Sequence, residues 1–339
     1  MANQQRIFYA CQAVAITGQG AGTVTSANIV RGAQSVGMSS TFTLDQVFEL
    51  GQIEIYENVE EVADIEVTIE KVIDGESLIF DLASGGACKT DLVAASKVRS
   101  DVYVAIYDDG QSQATGTPRN VCYNSGMYVS SVAYNYSVDG SATESVTLVG
   151  NDRFWNSETA GVIGTSATSA FGSLATGFGT DAAASGVVRR ADVDIVSSDI
   201  PAEAFSQRDS SDASTGQSDG ARIQSISVSA DFGQENIQEL GRFGPYTRYA
   251  TFPLEVSCDI EVMALQGDLV NVSGNAPNLQ NRTINIVDSA GTVLALGDNN
   301  KLSSVSYTGG DTGGGNATIT YSYTNFVIFA CKDNYNTFT

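Results

Sequence analysis

The chain has no histidine among its 339 residues. That removes the commonest general base, the commonest metal ligand and every Ser-His or Cys-His nucleophilic pair. Basic residues are scarce. Seventeen lysines and arginines stand against 39 aspartates and glutamates, a formal charge of −22. A nucleic-acid-binding surface needs the opposite sign, and anionic lipid headgroups repel such a chain for the same reason. A strongly acidic surface keeps a protein in solution and holds phosphate at a distance. No window approaches the ~18–20 apolar residues of a membrane span. The five cysteines, Cys11, Cys88, Cys122, Cys258 and Cys331, are odd in number and include no CxxC pair or zinc-ligand spacing. They read as buried, reduced thiols. Residues 1–6 lack the n-region and h-region of a secretory signal. The expectation is a protein made and folded in a cytoplasm, where disulfides do not persist.

Helical signal is thin. Residues 88–99 carry Leu92, Val93 and Val98 at helical spacing, with Asp91 near the start and Lys97 and Arg99 near the end, which predicts one short helix. A turn or so is expected at residues 277–281. Beta signals dominate. Strict alternation runs through residues 65–72, 101–107, 225–230 and 254–262. Turn chemistry lies between, as at Asp109-Gly110, Asp139-Gly140 and residues 309–315. The pattern predicts a mainly β fold: sandwich or barrel domains, each with a short flanking helix.

The chain also repeats itself. Glu49-Leu50-Gly51, Tyr56 and Ile65-Glu66-Val67 recur as Glu239-Leu240-Gly241, Tyr246 and Leu254-Glu255-Val256. Ser130-Ser131-Val132-Ala133-Tyr134 recurs as Ser303-Ser304-Val305-Ser306-Tyr307. The offsets are 190, 189 and 173 residues, in the same order. Two tandem, similar β domains are expected, at residues 1–155 and 186–339. A Gly/Ala/Ser/Thr-rich linker at 156–185 joins them, too poor in apolar surface to offset its own ordering. A polar loop at residues 207–220 interrupts the second copy, and residues 18–22 form a looser segment in the first.

Chemistry is hard to build from these residues. The acid pairs Asp108-Asp109 and Glu60-Glu61 sit in turn-like sequence and read as solvated loop acids rather than a glycosidase pair. Residues 18–22 lack the third glycine of a dinucleotide loop, and residues 309–315 lack the Lys-Ser/Thr of a P-loop. Asp288 and residues 298–300 lack EF-hand spacing. Arg189-Arg190 reads as a basic flank. No catalytic residue, metal or cofactor is expected. A charge contrast is more specific. After Glu49 the first copy carries Glu54, Glu57, Glu60, Glu61, Asp64 and Glu66 with no base before Lys71. The equivalent stretch of the second carries Arg242 and Arg248 with no acid between Glu239 and Glu255. Either these are two solvated loops that drifted, or they meet across an interface where complementary charge sets register.

Residues 237–256 resemble tail tube and related virion proteins of tailed bacteriophages. They hold the Glu-Leu-Gly turn, a loop with Pro245, Tyr246 and Arg248, and Phe252-Pro253 leading into a long alternating strand. The first copy keeps Glu49-Leu50-Gly51, Tyr56 and the strand, but has Ile55, Asn58 and Ala63 for Pro245, Arg248 and Pro253. The resemblance implies a structural virion protein of the tail, assembled in the host bacterial cytoplasm. Six such domains form a ring in that family, so three two-domain chains would make a pseudo-sixfold trimeric ring, and stacked rings a hollow tube for DNA ejection. Double-stranded DNA would pass without specific binding, and the partners are further copies and other phage tail proteins, with no membrane. The inter-ring contacts would be Glu54, Glu57, Glu60, Glu61, Arg242, Tyr246 and Arg248; reversing Arg242 and Arg248 would block stacking and leave rings intact. The lumen carboxylates would be Glu66, Glu70, Glu255 and Asp259. A baseplate hub or tail-terminator ring is the alternative within the virion. An extracellular carbohydrate-binding β-sandwich is the alternative of another class, opposed by a single tryptophan, Trp155, and supported by 14 tyrosines.

Overall fold

A computed structural model describes residues 6–21, 24–89, 92–109, 111, 118–157, 186–195, 198–206, 222–274, 279–310 and 315–333. Most of the expected linker and the loop at 207–220 lie outside the described residues.

The first half runs β1 (Gln12–Gly18), β2 (Ala33–Thr41), the hairpin β3 (Leu44–Phe48) and β4 (Ile55–Glu60), then β5 (Asp64–Val72). Helices α1 (Ile79–Ala83) and α2 (Leu92–Ala95) follow, then β6 (Ser100–Ile106), β7 (Asn120–Ser137), β8 (Thr143–Gly150) and β9 (Asp152–Ser157). The second half holds β10 (Val193–Asp194), α3 (Ala202–Phe205), β11 (Ile223–Asp231), the hairpin β12 (Gln234–Ile237) and β13 (Thr247–Ala250), and β14 (Glu255–Met263). It ends with β15 (Asn285–Asp288), β16 (Val293–Ala295), β17 (Lys301–Thr308), β18 (Thr318–Phe326) and β19 (Ala330–Lys332). The mainly β expectation holds.

One antiparallel ladder crosses the whole molecule, in the order β17-β18-β14-β11-β7-β8-β5-β2. Its inner face is the period-two set read from the sequence: Val67 and Ile69, Val146 and Leu148, Val256 and Ile260, all buried. A second layer covers that face. In the first half it is β1-β6-β7-β9, with β7 long enough at 18 residues to serve both layers. In the second half it is β10-β15-β16-β19. Residues from both layers and both halves form one continuous core. All five cysteines are buried free thiols, and burial pushes those of Cys88, Cys122, Cys258 and Cys331 up, away from the reactive thiolate.

Helix content differs from the expectation in placement. Within residues 88–99 the described elements are the end of a 3-10 turn, Ala87–Lys89, and the four-residue α2, and residues 90–91 lie outside the described residues. The helix that matters is α1. Ile79, Phe80 and Ala83 are all buried, so it shows no amphipathic stripe. The helix of the second half lies between β10 and β11; of the expected turn, Leu279 and Gln280 are not helical and 275–278 lie outside the described residues.

Buried Asp288 has a pH consequence. Thr292 N donates to its Oδ1 at 2.9 Å, while Oδ2 has no partner. Burial pushes its pKa up to about 6 from 3.8. The folded chain therefore holds this proton more tightly than the unfolded one. Its contribution to stability is full below pH ~4 and is lost as pH rises to ~6, an effect on the order of 2–3 kcal/mol. Urea unfolding at pH 4 and pH 7 is expected to show that difference in the native chain, relative to Asp288→Asn. Parallel pH dependence in the two proteins would refute it.

Candidate functional site

The two halves meet edge to edge. Strand β11 pairs antiparallel with β7: Ser227 opposite Asn135, Val228 opposite Tyr134, Ser229 opposite Ala133, Ala230 opposite Val132. This joint lies in the middle of the ladder, so its apolar members are buried as deeply as any core strand.

Each half arranges its four ladder strands alike. The order β2-β5-β8-β7 in the first matches β11-β14-β18-β17 in the second. The irregularities match as well. β2 shifts register at Ala33/Ser35 and β11 at Ile223/Ser225; β7 shifts at Val129/Ser131 and β17 at Leu302/Ser304. A side-chain pair recurs across the first two strands, Ser35 donating to Glu70 at 3.3 Å and Ser225 to Glu261 at 3.2 Å. By this register Asp64 corresponds to Glu255, so the sequence match of Ile65-Glu66-Val67 with Leu254-Glu255-Val256 sits two residues out of place. Side chains alternate with period two, so a two-residue slip leaves the inward pattern intact and cannot be detected from it.

Both hairpins rise from one rim of the ladder, β3–β4 beyond Thr41 and β12–β13 beyond Asp231. The Glu-Leu-Gly segments form their turns, and Gly51 and Gly241 take left-handed φ of 96° and 89°, conformations that side chains with a Cβ rarely adopt. The tips are apolar and exposed at Leu50, Ile53, Leu240 and Phe243. Exposed apolar surface of this extent marks an interaction site.

The structure divides the candidate loop residues. Glu54, Glu57, Glu60 and Glu61 are exposed along the first hairpin. Tyr246 and Arg242 are exposed on the second, Arg242 Nη1 lying 3.7 Å from Glu239 of the same turn. Arg248 corrects the expectation. It is 7% exposed, and its guanidinium is spent within the chain, 2.7 Å from Asp64 Oδ1 and bonded to Asn151 Oδ1 and Gly150 O. Asn236 also donates to Asp64, at 3.4 Å. Arg248 thus locks the two halves together and is not free to reach a further ring. Reversing its charge would break the joint itself. Sequence reading missed Asp64 and Asn151 as its partners, because only the register brings them to it. A groove of about 620 Å3 separates the hairpin bases, with Glu60 and Glu61 on one side and Arg242 and Arg248 on the other.

The ladder's open face is paved with hydroxyls and carboxylates. Glu66, Glu70, Glu255 and Asp259 all point to it, together with Asp231 and Glu261. Hydroxyls bond sideways across the strands, Ser229 to Ser257 at 2.8 Å and Thr68 to Thr147 at 3.3 Å. No group of three or more metal-ligating side chains occurs among the described residues, and no described helix is long and apolar enough to cross a membrane.

No protein-family model matches the chain. No curated protein matches it. Among solved structures, a chain of the six-fold symmetrised cryo-EM structure of the anti-feeding prophage baseplate is similar, with a TM-score of 0.33 and 11% identity over 46% of this chain and 99% of that one. The likeness is to a component of a phage-like baseplate, and at that level it carries no argument about function.

Proposed function

We propose that this chain is a non-enzymatic ring subunit of a bacteriophage tail tube. Three chains contribute six β units to a closed annulus, and annuli stack around a channel for DNA. One observation carries the reading. The β11–β7 joint is head-to-tail, the first ladder strand of one half against the last of the other, and it leaves one edge of each kind unpaired, β2 and β17. A heterologous joint of that sort repeats from chain to chain and makes a ring where its rotation closes, an open filament where it does not. An open sheet edge is otherwise a liability that proteins cover.

The open face supplies the wall of the channel. Its carboxylates repel phosphate over a Debye length of ~8 Å at physiological ionic strength, and most of the face between them is short hydroxyl side chains, with the aromatic Phe326 at its rim opposite Glu255. The exposed hairpins, with Glu54, Glu60 and Glu61 on one and Arg242 and Tyr246 on the other, serve contacts between rings.

Negative-stain microscopy with mass measurement tests this. The expected particle is a ring of three chains with a central hole, extending into tubes at higher concentration. Rings that never stack would move the assignment to a baseplate hub or tail terminator. A solid or monomeric particle would end it.

A further inference from the structure

We infer that successive chains join by pairing β2 of one with β17 of the next in the register of the internal joint, with Met38 opposite Tyr307 and Ser39 opposite Ser306, and with Phe42 buried in the neighbour. The inference rests on the ring reading above and names its contact surface.

The internal joint serves as the template. The matched register shifts place Val228 of β11 on Met38 of β2, and Tyr134 of β7 on Tyr307 of β17. Val228 faces Tyr134 inside the chain. The same relation sets Met38 against Tyr307. Exposure differs as it should if a partner is missing: Tyr134 is 1% exposed and Tyr307 54%. Just past the strand, Phe232 is 1% exposed and packs against Phe80 across the joint, while its counterpart Phe42 is 71% exposed.

The polar groups of the two joints are not interchangeable. Within the chain, Arg248 reaches Asp64; the counterparts Asn58 and Glu255 form a neutral-to-acid contact. Within the chain, Tyr128 and Thr247 share a hydroxyl bond of 3.1 Å; their counterparts are Lys301 and Glu57, opposite charges on the two free edges. The ion pair moves to a different rung. A β11–β17 joint would set Arg248 against Glu255 but leave Lys301 facing Thr247, and a β2–β7 joint would leave Glu57 facing Tyr128, so the Lys301–Glu57 pair forms only where the two halves alternate around the ring.

Cysteine cross-linking reads the register. Phe232 N donates to Ser130 O at 2.8 Å, which makes Ser229 and Ala133 a close, non-hydrogen-bonded rung. Such a rung has Cα atoms ~4.5 Å apart, within disulfide reach. Ser39 and Ser306 take its place between chains. Both are exposed, and all five native cysteines are buried. Oxidation of Ser39→Cys/Ser306→Cys is expected to link chains into covalent trimers, whereas Ser39→Cys/Ser304→Cys, two residues out of register, links at least tenfold less. Ser229→Cys/Ala133→Cys should close within one chain. Glu57→Lys should weaken ring formation about tenfold, and adding Lys301→Glu should restore it. Rings by microscopy with no Ser39–Ser306 link, or with a stronger Ser39–Ser304 link, would overturn this register and leave the ring standing. Native protein that forms no rings would overturn both.

Discussion

Glu144→Leu is expected to lower the unfolding free energy by ~3–5 kcal/mol, the range for removing one partner from a buried charged network. Glu144 is fully buried. It accepts hydrogen bonds from Ile79 N at 2.7 Å, Phe80 N at 2.9 Å and the Tyr134 hydroxyl at 3.0 Å. It thus caps the start of α1, where backbone N–H groups have no partner of their own. Burial raises its pKa, opposed first by the charge of Lys71 and then by the two backbone donors. Lys71 sits directly across the strands, also fully buried, with Nζ 3.2 Å from Asp74 Oδ1 and 2.9 Å from Ser77 O. The second half holds an apolar pair at the same rung, Val262 opposite Ile319. Lys71→Val combined with Glu144→Ile should therefore be less damaging than the sum of the single changes. Denaturant midpoints of the four proteins measure the coupling; strict additivity would show that the two groups do not interact.

Phe232→Ala is expected to cost a similar ~3–5 kcal/mol, the range for a large aromatic removed from a packed core. Phe232 and Phe329 flank Phe80 at centroid distances of 6.0 and 6.2 Å, and Tyr134 stands 5.9 Å from Phe329. This cluster draws on both halves, so the loss should appear in the unfolding of the whole chain. Phe42→Ala, the counterpart change, should leave the isolated chain's unfolding within ~0.5 kcal/mol of the original, as surface substitutions do. Equal effects of the two changes would show that Phe232 is not part of the joint's core.

Much of the fold was legible. Alternation located β5, β6, β11 and β14, and Glu-Leu-Gly located both hairpin turns, because period two and left-handed glycine are local properties. Glu144 was legible but passed over: Ala142, Glu144, Val146 and Leu148 share one phase, which puts the carboxylate inside. Lys71 stands likewise in phase with Val67 and Ile69. The α1 helix was not legible, since a helix buried on all sides carries no stripe. Arg248 misled because its acid, Asp64, lies 184 residues away in sequence. A charge on a loop says nothing of its partner until the ladder fixes which loops share a rim.

The β11–β7 joint has a consequence for how many encounters an assembly requires. Two units tethered on one polypeptide find each other at the effective concentration of the tether, whatever the protein's abundance. In the ring proposed above, every second seam would then be complete once the chain has folded. Only the alternate seams would depend on collision, which would halve the number of concentration-dependent steps and fix equal numbers of the two kinds of unit.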